Sequence, residues 1–551
     1  MNSIHAEGSS LSSGGGLPAG WSTAEIREVA LVRPGRASAF EMSPDLSVTF
    51  VPMSAVDENR GAITDAQERP YASVRKGFTA FREGDVIVAK ITPCMENGKA
   101  AVARNLVNGT GFGSTEFHVL RPTGVIVAEF LCHFVRQQAF RNEAADHMTG
   151  SVGQKRVPAD FISEHGIPVP PLPEQHRIVA EIEKQFTRLD AGVAALERVR
   201  ANLKRYRAAV LTAAVEGRLV PTEAEVARTE GRGYETGEEL LARIAVDDSR
   251  AQGRGSAGRR TDARDRNAEE GSDDDGTDPT SSVARPRLPD GWAWATPEQL
   301  ASSASHALAI GPFGSDLKVD DYRTEGVPLV FVRNIRSARF AGPGTRYITR
   351  EKAATLRAHR VLPGDVLITK MGGPPGDACL YPDHAQPAII TADCVKWSLA
   401  PCLSIPPFFV HAVNSDVVRA QIAQLTRGVA QQKISLERFK RVSIPLPPLA
   451  EQQRLVSELE RRISLVGELE ATVNACLKRA ERLRQAILKL AFEGKLVPQD
   501  PSEEPASVLL ERIRSERKEA AVSPRLRQPK VAAAGAEERI PIQAGLFDPL
   551  R

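Results

Sequence analysis

The side chains best placed for chemistry are polar residues in Gly-rich loops or beside short apolar runs. In the first third of the chain these are Lys90, Thr92, Glu96, Asn97, Lys99, Ser114, Thr115 and Glu116. Later come Ser315 and Lys318 within GPFGSDLK (Gly311 to Lys318), then Arg333, Asn334, Arg336 and Lys370. Gln154, Lys155, Arg156, Gln431 and Lys433 add mostly basic character just before two Pro-rich stretches. Ammonium, guanidinium, amide and hydroxyl groups at loop positions can reach a ligand. Their spacing does not assemble a covalent mechanism.

The known catalytic patterns are missing. An adenine methyltransferase needs a Gly-rich cofactor loop and an Asn/Asp-Pro-Pro-aromatic motif, and SIPPF (Ser404 to Phe408) has the wrong first residues to hold an exocyclic amine. GGPPGD (Gly372 to Asp377) lacks the lysine of a phosphate loop. GDVLITK carries one carboxylate before its lysine, too few for a paired-acid nuclease. No nucleophile elbow of the G-x-S-x-G type occurs. The chain reads as a binding protein without a cofactor or metal of its own.

The element that positions these residues is a repeat. IPVPPLPEQHRIVAEIE (Ile167 to Glu183) returns as IPLPPLAEQQRLVSELE (Ile444 to Glu460), with eleven of the seventeen aligned positions identical. The same offset carries AVEGRLVP (Ala214 to Pro221) onto AFEGKLVP (Ala491 to Pro498), and TGSVGQKRV (Thr149 to Val157) onto TRGVAQQKI (Thr426 to Ile434). Looser echoes are LPAGW (Leu17 to Trp21) with LPDGW (Leu288 to Trp292), EGDVIVAK (Glu83 to Lys90) with PGDVLITK (Pro363 to Lys370), and LLARI (Leu240 to Ile244) with LLERI (Leu509 to Ile513). Two halves share a scaffold and differ mainly over Leu17 to Gly166 and Leu288 to Ser443.

The shared block is helical. Ile178, Ile182, Phe186, Leu189, Val193, Leu196, Val199, Leu203, Tyr206 and Val210 recur at three and four spacing, as do Leu455, Leu459, Ile463, Val466, Val473, Cys476, Leu483 and Ile487 in the second copy. Pro173 suits a first turn, Glu174 and Glu451 the positive helix start, and Gly217 and Gly494 the C-terminal cap. Helices of about 40 residues, roughly 60 Å long, carry a stripe that must be covered, most simply by each other. The divergent stretches alternate short apolar runs with Gly, Asn, Asp and Pro, which predicts a compact α+β module in each half.

At 551 residues the chain exceeds a single core, and its formal charge of +3 carries no bulk basic signature, so any basic surface is local. Six scattered cysteines fit reduced thiols, and no apolar run reaches membrane-spanning length, so a soluble, cytoplasmic protein is expected. Asp248 to Arg287 holds one large apolar residue, Val283, and reads as a disordered linker. Residues 1–16 and the tail over 518–551 read likewise. In the tail, Gln543, Leu546 and Phe547 loosely resemble a clamp-binding peptide of bacterial replication proteins.

The doubled IPxPPLxEQ stretch, the stripe helices and the EGRLVP and EGKLVP endings resemble the specificity subunit of type I restriction-modification systems. KITPCMENGKAAVARNL (Lys90 to Leu106) and GFGSTEFHVLRP (Gly111 to Pro122) look like one recurring type of target-recognition domain. The likeness covers nearly the whole chain apart from linker and tail. It implies two target-recognition domains, 17–166 and 288–443, joined by two conserved regions, 167–247 and 444–517, whose long helices form an antiparallel coiled coil with a pseudo-two-fold repeat. It further implies that each domain reads half of a bipartite, asymmetric sequence on double-stranded DNA. Two methyltransferase subunits with S-adenosylmethionine, and restriction subunits with ATP and Mg, would then act on adenine or cleave. On this reading the DNA-contacting residues are the polar set above without Glu96 and Glu116, using Arg, Lys, Asn and Gln on base edges and phosphates. The alternative is a coiled-coil scaffold without DNA specificity, which accounts for the helices but not for two different modules on like supports.

Overall fold

The structure, a computed structural model, describes residues 16–35, 42–151, 153–255, 286–312, 314, 316–336, 338–342, 346–403, 405–426 and 432–522. Ser315, Gln431, the clamp-like tail and nearly all of residues 1–16 lie outside these. The chain forms two compact units, 1–193 with 478–551, and 194–477.

In the first unit, Gln67–Pro70, Ser47–Val51, Thr110–Gly113 and Thr79–Arg82 form one four-stranded sheet in that order, with Ser47–Val51 parallel to Thr110–Gly113. Ala30–Val32, Phe117–Pro122, Val86–Ala89 and Ala100–Val102 form a second sheet, antiparallel throughout. The run VIVA is buried on both faces, so it lacks the polar alternation of a half-exposed strand. Val86 and Val88 join the cluster holding Phe130, Leu131 and Phe134 of the helix Ala128–Val135, while Ile87 joins the one holding Val51, Phe81 and Val119. Ser22–Glu25 pairs with Gly166–Val169 and brings the module's two ends together.

The second unit repeats this topology with different residues. Its sheets run Tyr347–Ile348, Val327–Val330, Ala388–Ile390, Arg360–Val361 and Leu308–Ile310, Cys394–Trp397, Val366–Thr369, Ala378–Leu380. Val327–Val330 is again parallel to Ala388–Ile390, and Ala293–Ala295 pairs with Ile444–Leu446 to close the module. VLIT divides as VIVA does, with Val366 and Ile368 in one core and Leu367 in the other.

The two long helices, Leu172–Val215 and Leu449–Phe492, have 44 residues each, about 66 Å at the usual rise, and begin and end at matching repeat positions. In the first unit Ile178, Ile182 and Phe186 share a core with Ile487, Leu488 and Phe492. In the second, Val210, Leu211 and Val215 share one with Leu455, Val456 and Leu459. The start of each helix therefore lies beside the end of the other, an antiparallel pair. The stripe is narrower than its periodicity implies: Val199 (43%), Tyr206 (46%) and Leu483 (48%) are exposed, as is Cys476. One partner helix covers only one face, and a straight helix drifts off a fixed stripe by about 20° per heptad.

The doubled motifs meet at the joints. Trp21 Nε1 donates to the buried Glu174 carboxylate at 3.1 Å, and Gln175 accepts from Val127 N at 2.8 Å while donating to the Val125 and Pro170 carbonyls, both at 3.0 Å. In the second unit Glu451 accepts from Glu223 N at 2.8 Å, and Gln452 donates to the Pro447 carbonyl at 2.8 Å. In the first unit these side chains thus hold module to helix, while in the second Glu451 ties the long helix to the start of the helix Glu223–Glu230; both are larger tasks than favouring a helix start. Gly217 and Gly494 both have φ of +67°, and a Cβ there would collide with Pro289 and Pro18 respectively. Each LPxGW motif is thereby seated on the EGxLVP motif of the other half.

The shorter helices beyond the long pair are seated in the same way. Leu240 and Ile244, in the helix Gly237–Gly255, enter the core of the second module, and Ala506 and Leu510, in the helix Ala506–Val522, enter that of the first. Both helices run past positions 248 and 518, where the composition predicts the start of a disordered linker and of a tail. Amphipathic spacing around LLARI and LLERI carries the helices on; the remainder, 256–285 and 523–551, is outside the described residues.

Candidate nucleic-acid interface

In the first module the chain leaves Val86–Ala89 at Lys90. The Lys90 backbone N–H donates to the Glu116 carbonyl at 2.9 Å, and its carbonyl accepts from Val157 N at 2.9 Å. Thr92 N donates to the Lys155 carbonyl at 3.0 Å, and Ile91 pairs with Arg156. The segments 90–92, 114–116 and 154–157 are thus stitched into one edge, which gathers Lys90, Thr92, Ser114, Thr115, Gln154, Lys155 and Arg156. Thr115, Gln154 and Lys155 are exposed.

The electrostatics of this edge are uneven. Arg156 donates from Nε and Nη2 to the two oxygens of Glu116, both at 2.9 Å, and this pairing holds the Glu116 carboxyl below its ordinary range. Burial lowers the Lys90 ammonium; Glu116 opposes that, and Arg33 and Arg156 add to it. His118 is fully buried. Its Nδ1 accepts from Arg33 Nε at 3.2 Å and its Nε2 lies 2.9 Å from the Val157 carbonyl, so the tautomer carries its proton on Nε2. Burial pushes His118 down to about 4, and it is neutral at physiological pH.

Other expected residues stand elsewhere. Lys99 Nζ donates to the Val56 carbonyl at 3.0 Å and the Met53 carbonyl at 3.4 Å, with Glu58 at 3.6 Å, so it braces the distant 53–58 segment. Asn97 is exposed on the turn before it. Arg33 and His118 belong to the edge although neither is among the residues the sequence marks out. Arg33 holds a φ of +51°, and nothing in LVRPG reveals that its guanidinium returns over a buried histidine.

The second module builds the same edge. Lys370 N donates to the Asp393 carbonyl at 2.8 Å, its carbonyl accepts from Ile434 N at 3.0 Å, and Met371 pairs with Lys433. Lys370 is 7% exposed; Lys433 is exposed. Arg333, Asn334 and Arg336 lie on the 332–336 segment. The Arg333 guanidinium sits 4.2 Å from the centre of the Phe331 ring. Asn334 is buried, accepting from Phe331 N at 2.9 Å and donating to the Gly342 carbonyl at 3.0 Å, so its amide is spent on the loop. Arg336 faces Arg339 across a two-residue strand pair, both exposed, a like-charge juxtaposition that favours a nearby anion. Lys318 is exposed, its backbone N–H capped by Asp321 at 2.8 Å.

Among the described residues no cluster of His, Cys, Asp and Glu is arranged to hold a metal ion, and no helix is long and apolar enough to cross a membrane. The family model described as the type I restriction modification DNA specificity domain matches residues 18–198 and 363–479, more than half of the chain. The chain belongs to that family. Among relatives of this specificity-domain family, it is 25% identical over 527 residues to the EcoEI specificity subunit of Escherichia coli, covering 86% of this chain and 83% of the relative. It is 23% identical to the EcoKI specificity subunit of Escherichia coli strain K12, covering 92% and 97%. A solved chain described under "Structural basis underlying complex assembly and conformational transition of the type I R-M system" superposes with a TM-score of 0.58 at 20% identity, covering 87% of this chain and 99% of that one, and shares its fold.

Proposed function

We propose that the chain is the non-catalytic specificity subunit of a type I restriction-modification complex, with modules 17–166 and 288–443 each reading one half of a bipartite, asymmetric DNA target. The observation that carries this reading is the pairing of one topology with two different loop sets on matching helices. Lys and Gln side chains at each edge, with Arg156 at the first, suit major-groove base edges, and further Lys and Arg suit phosphates. In this reading two methyltransferase subunits bring S-adenosylmethionine and flip the target adenine, and restriction subunits bring ATP and Mg, in the cytoplasm. The EcoEI and EcoKI relatives, both named as specificity subunits, support it.

The test is to sequence methylated adenines in a host carrying the full system, which should give a split motif. Exchanging residues 17–166 for another module should change one half of that motif. A change in both halves, or in neither, sinks the assignment.

A further inference from the structure

Matched by their hydrogen bonds rather than by sequence, the two modules divide the edge into a shared part and a changing part. Ser114 N donates to the Val51 carbonyl at 3.3 Å, and Thr391 N to the Val330 carbonyl at 2.9 Å, so Ser114 answers to Thr391, Thr115 to Ala392 and Glu116 to Asp393. Lys90 answers to Lys370 through its two backbone bonds, and Arg156 to Lys433 through the paired bridges. The shared set is a lysine, an acid and a second base. The changing set is Thr92 against Gly372, Thr115 against Ala392, and Lys155 against Gln432.

Two modules that read different half-sites need different base-reading residues wherever the bases differ, but they can share a phosphate ligand throughout, because the backbone is the same under every sequence. The surroundings of Lys90 agree. Glu116 gives both oxygens to Arg156, and Lys90 makes no ion pair or side-chain hydrogen bond among the described residues. Its charged neighbours are otherwise Arg33 and Arg156. Glu116 attracts this ammonium, but its oxygens are already committed to Arg156, so a further anion would still relieve the desolvation of a half-buried charge beside two guanidinium groups.

We infer that Lys90 and Lys370 are matched phosphate ligands, one per half-site, which hold each module on the DNA backbone without choosing bases. This rests on the proposed reading of the modules as half-site readers. Base choice then falls to the changing positions, Thr92, Thr115 and Lys155 in the first module and Gln432 in the second.

The experiment uses the full-length chain and a mixed-sequence DNA duplex, with affinity followed by fluorescence anisotropy from ~50 to ~200 mM salt. Lys90→Gln and Lys370→Gln should each weaken binding several-fold and lower the slope of log affinity against log salt by about 1, and the double variant by about 2. Lys90→Arg should restore the slope, which a merely structural defect would not. In a host with the full system, the methylation motif of either Gln variant should keep every base. An unchanged slope, or a motif relaxed at a base of one half, overturns the assignment. Binding of inorganic phosphate alone that is lost in Lys90→Gln, with the duplex slope unchanged, would assign Lys90 to a free anion and also overturn it. Wild-type chain that shows no salt-dependent duplex binding would instead sink the reading of the modules as DNA readers.

Discussion

At the residue scale, the buried carboxylates of the joints are the most consequential groups. Glu451 is fully buried, and that burial pushes its carboxyl up to about 7 even though the Glu223 N–H and Arg454 favour its charged form. The folded protein therefore holds this proton more tightly than the unfolded chain, whose carboxyl titrates near 4.5. The contribution is fully present below about 4.5 and is lost as pH rises through about 7; linkage sets its size at about 3 kcal/mol. Glu451→Gln should flatten the melting temperature between those pH values. A wild-type slope that survives in the variant would assign it to other groups. Arg156 and Glu116 are partly exposed, so Arg156→Ala should leave the midpoint of denaturant melts close to the wild-type value.

At the element scale, the long helices depend on their caps and on a narrow seam. Gly217→Ala and Gly494→Ala each place a Cβ at a left-handed φ and against a proline ring, a strain of about 1–3 kcal/mol. Each should lower the melting temperature by several degrees, and an unchanged value would show that the Pro289 or Pro18 contact yields freely. Val466 (2% exposed) and Val473 (6%) sit on the buried face of the second helix. Val473→Asp should cost about 3 kcal/mol or more by burying an unpaired charge, whereas Val199→Asp on the exposed side should stay within about 0.5 kcal/mol. Equal effects from the two would remove the basis for a one-faced seam.

At the scale of the whole molecule, sequence halves are not structural units. Leu240 and Ile244 precede the second module by more than forty positions yet share its core, and Leu510 does the same for the first module from the far end of the chain. Ile244→Asp should loosen the strands Val366–Thr369 and Cys394–Trp397 in hydrogen exchange, and Leu510→Asp the strand Val86–Ala89. Exchange confined to the mutated helix would contradict this shared packing.

The repeat was legible from the chain alone because identical constraints leave identical letters. The capping glycines and the helix length reflect left-handed φ and periodicity, each readable locally, whereas the Glu-Gln pair was legible only as a helix start because its partners lie far along the chain. The alternating runs likewise declared an α+β module, and the exclusion of phosphate-loop and nucleophile motifs needed only spacing. Which polar residues face a ligand was not legible, because that depends on contacts between segments far apart in sequence. Lys99 and Asn334 have the composition of ligand-binding residues, yet Lys99 donates to the carbonyls of the distant 53–58 segment and Asn334 to its own loop. Arg33 and His118, unremarkable as letters, meet across 85 positions. The tertiary structure also decided that each helix tail seats on the other half's module, since an amphipathic segment specifies that it must be covered but not by what. Hydrophobic pattern fixes the face; only folding brings the partner.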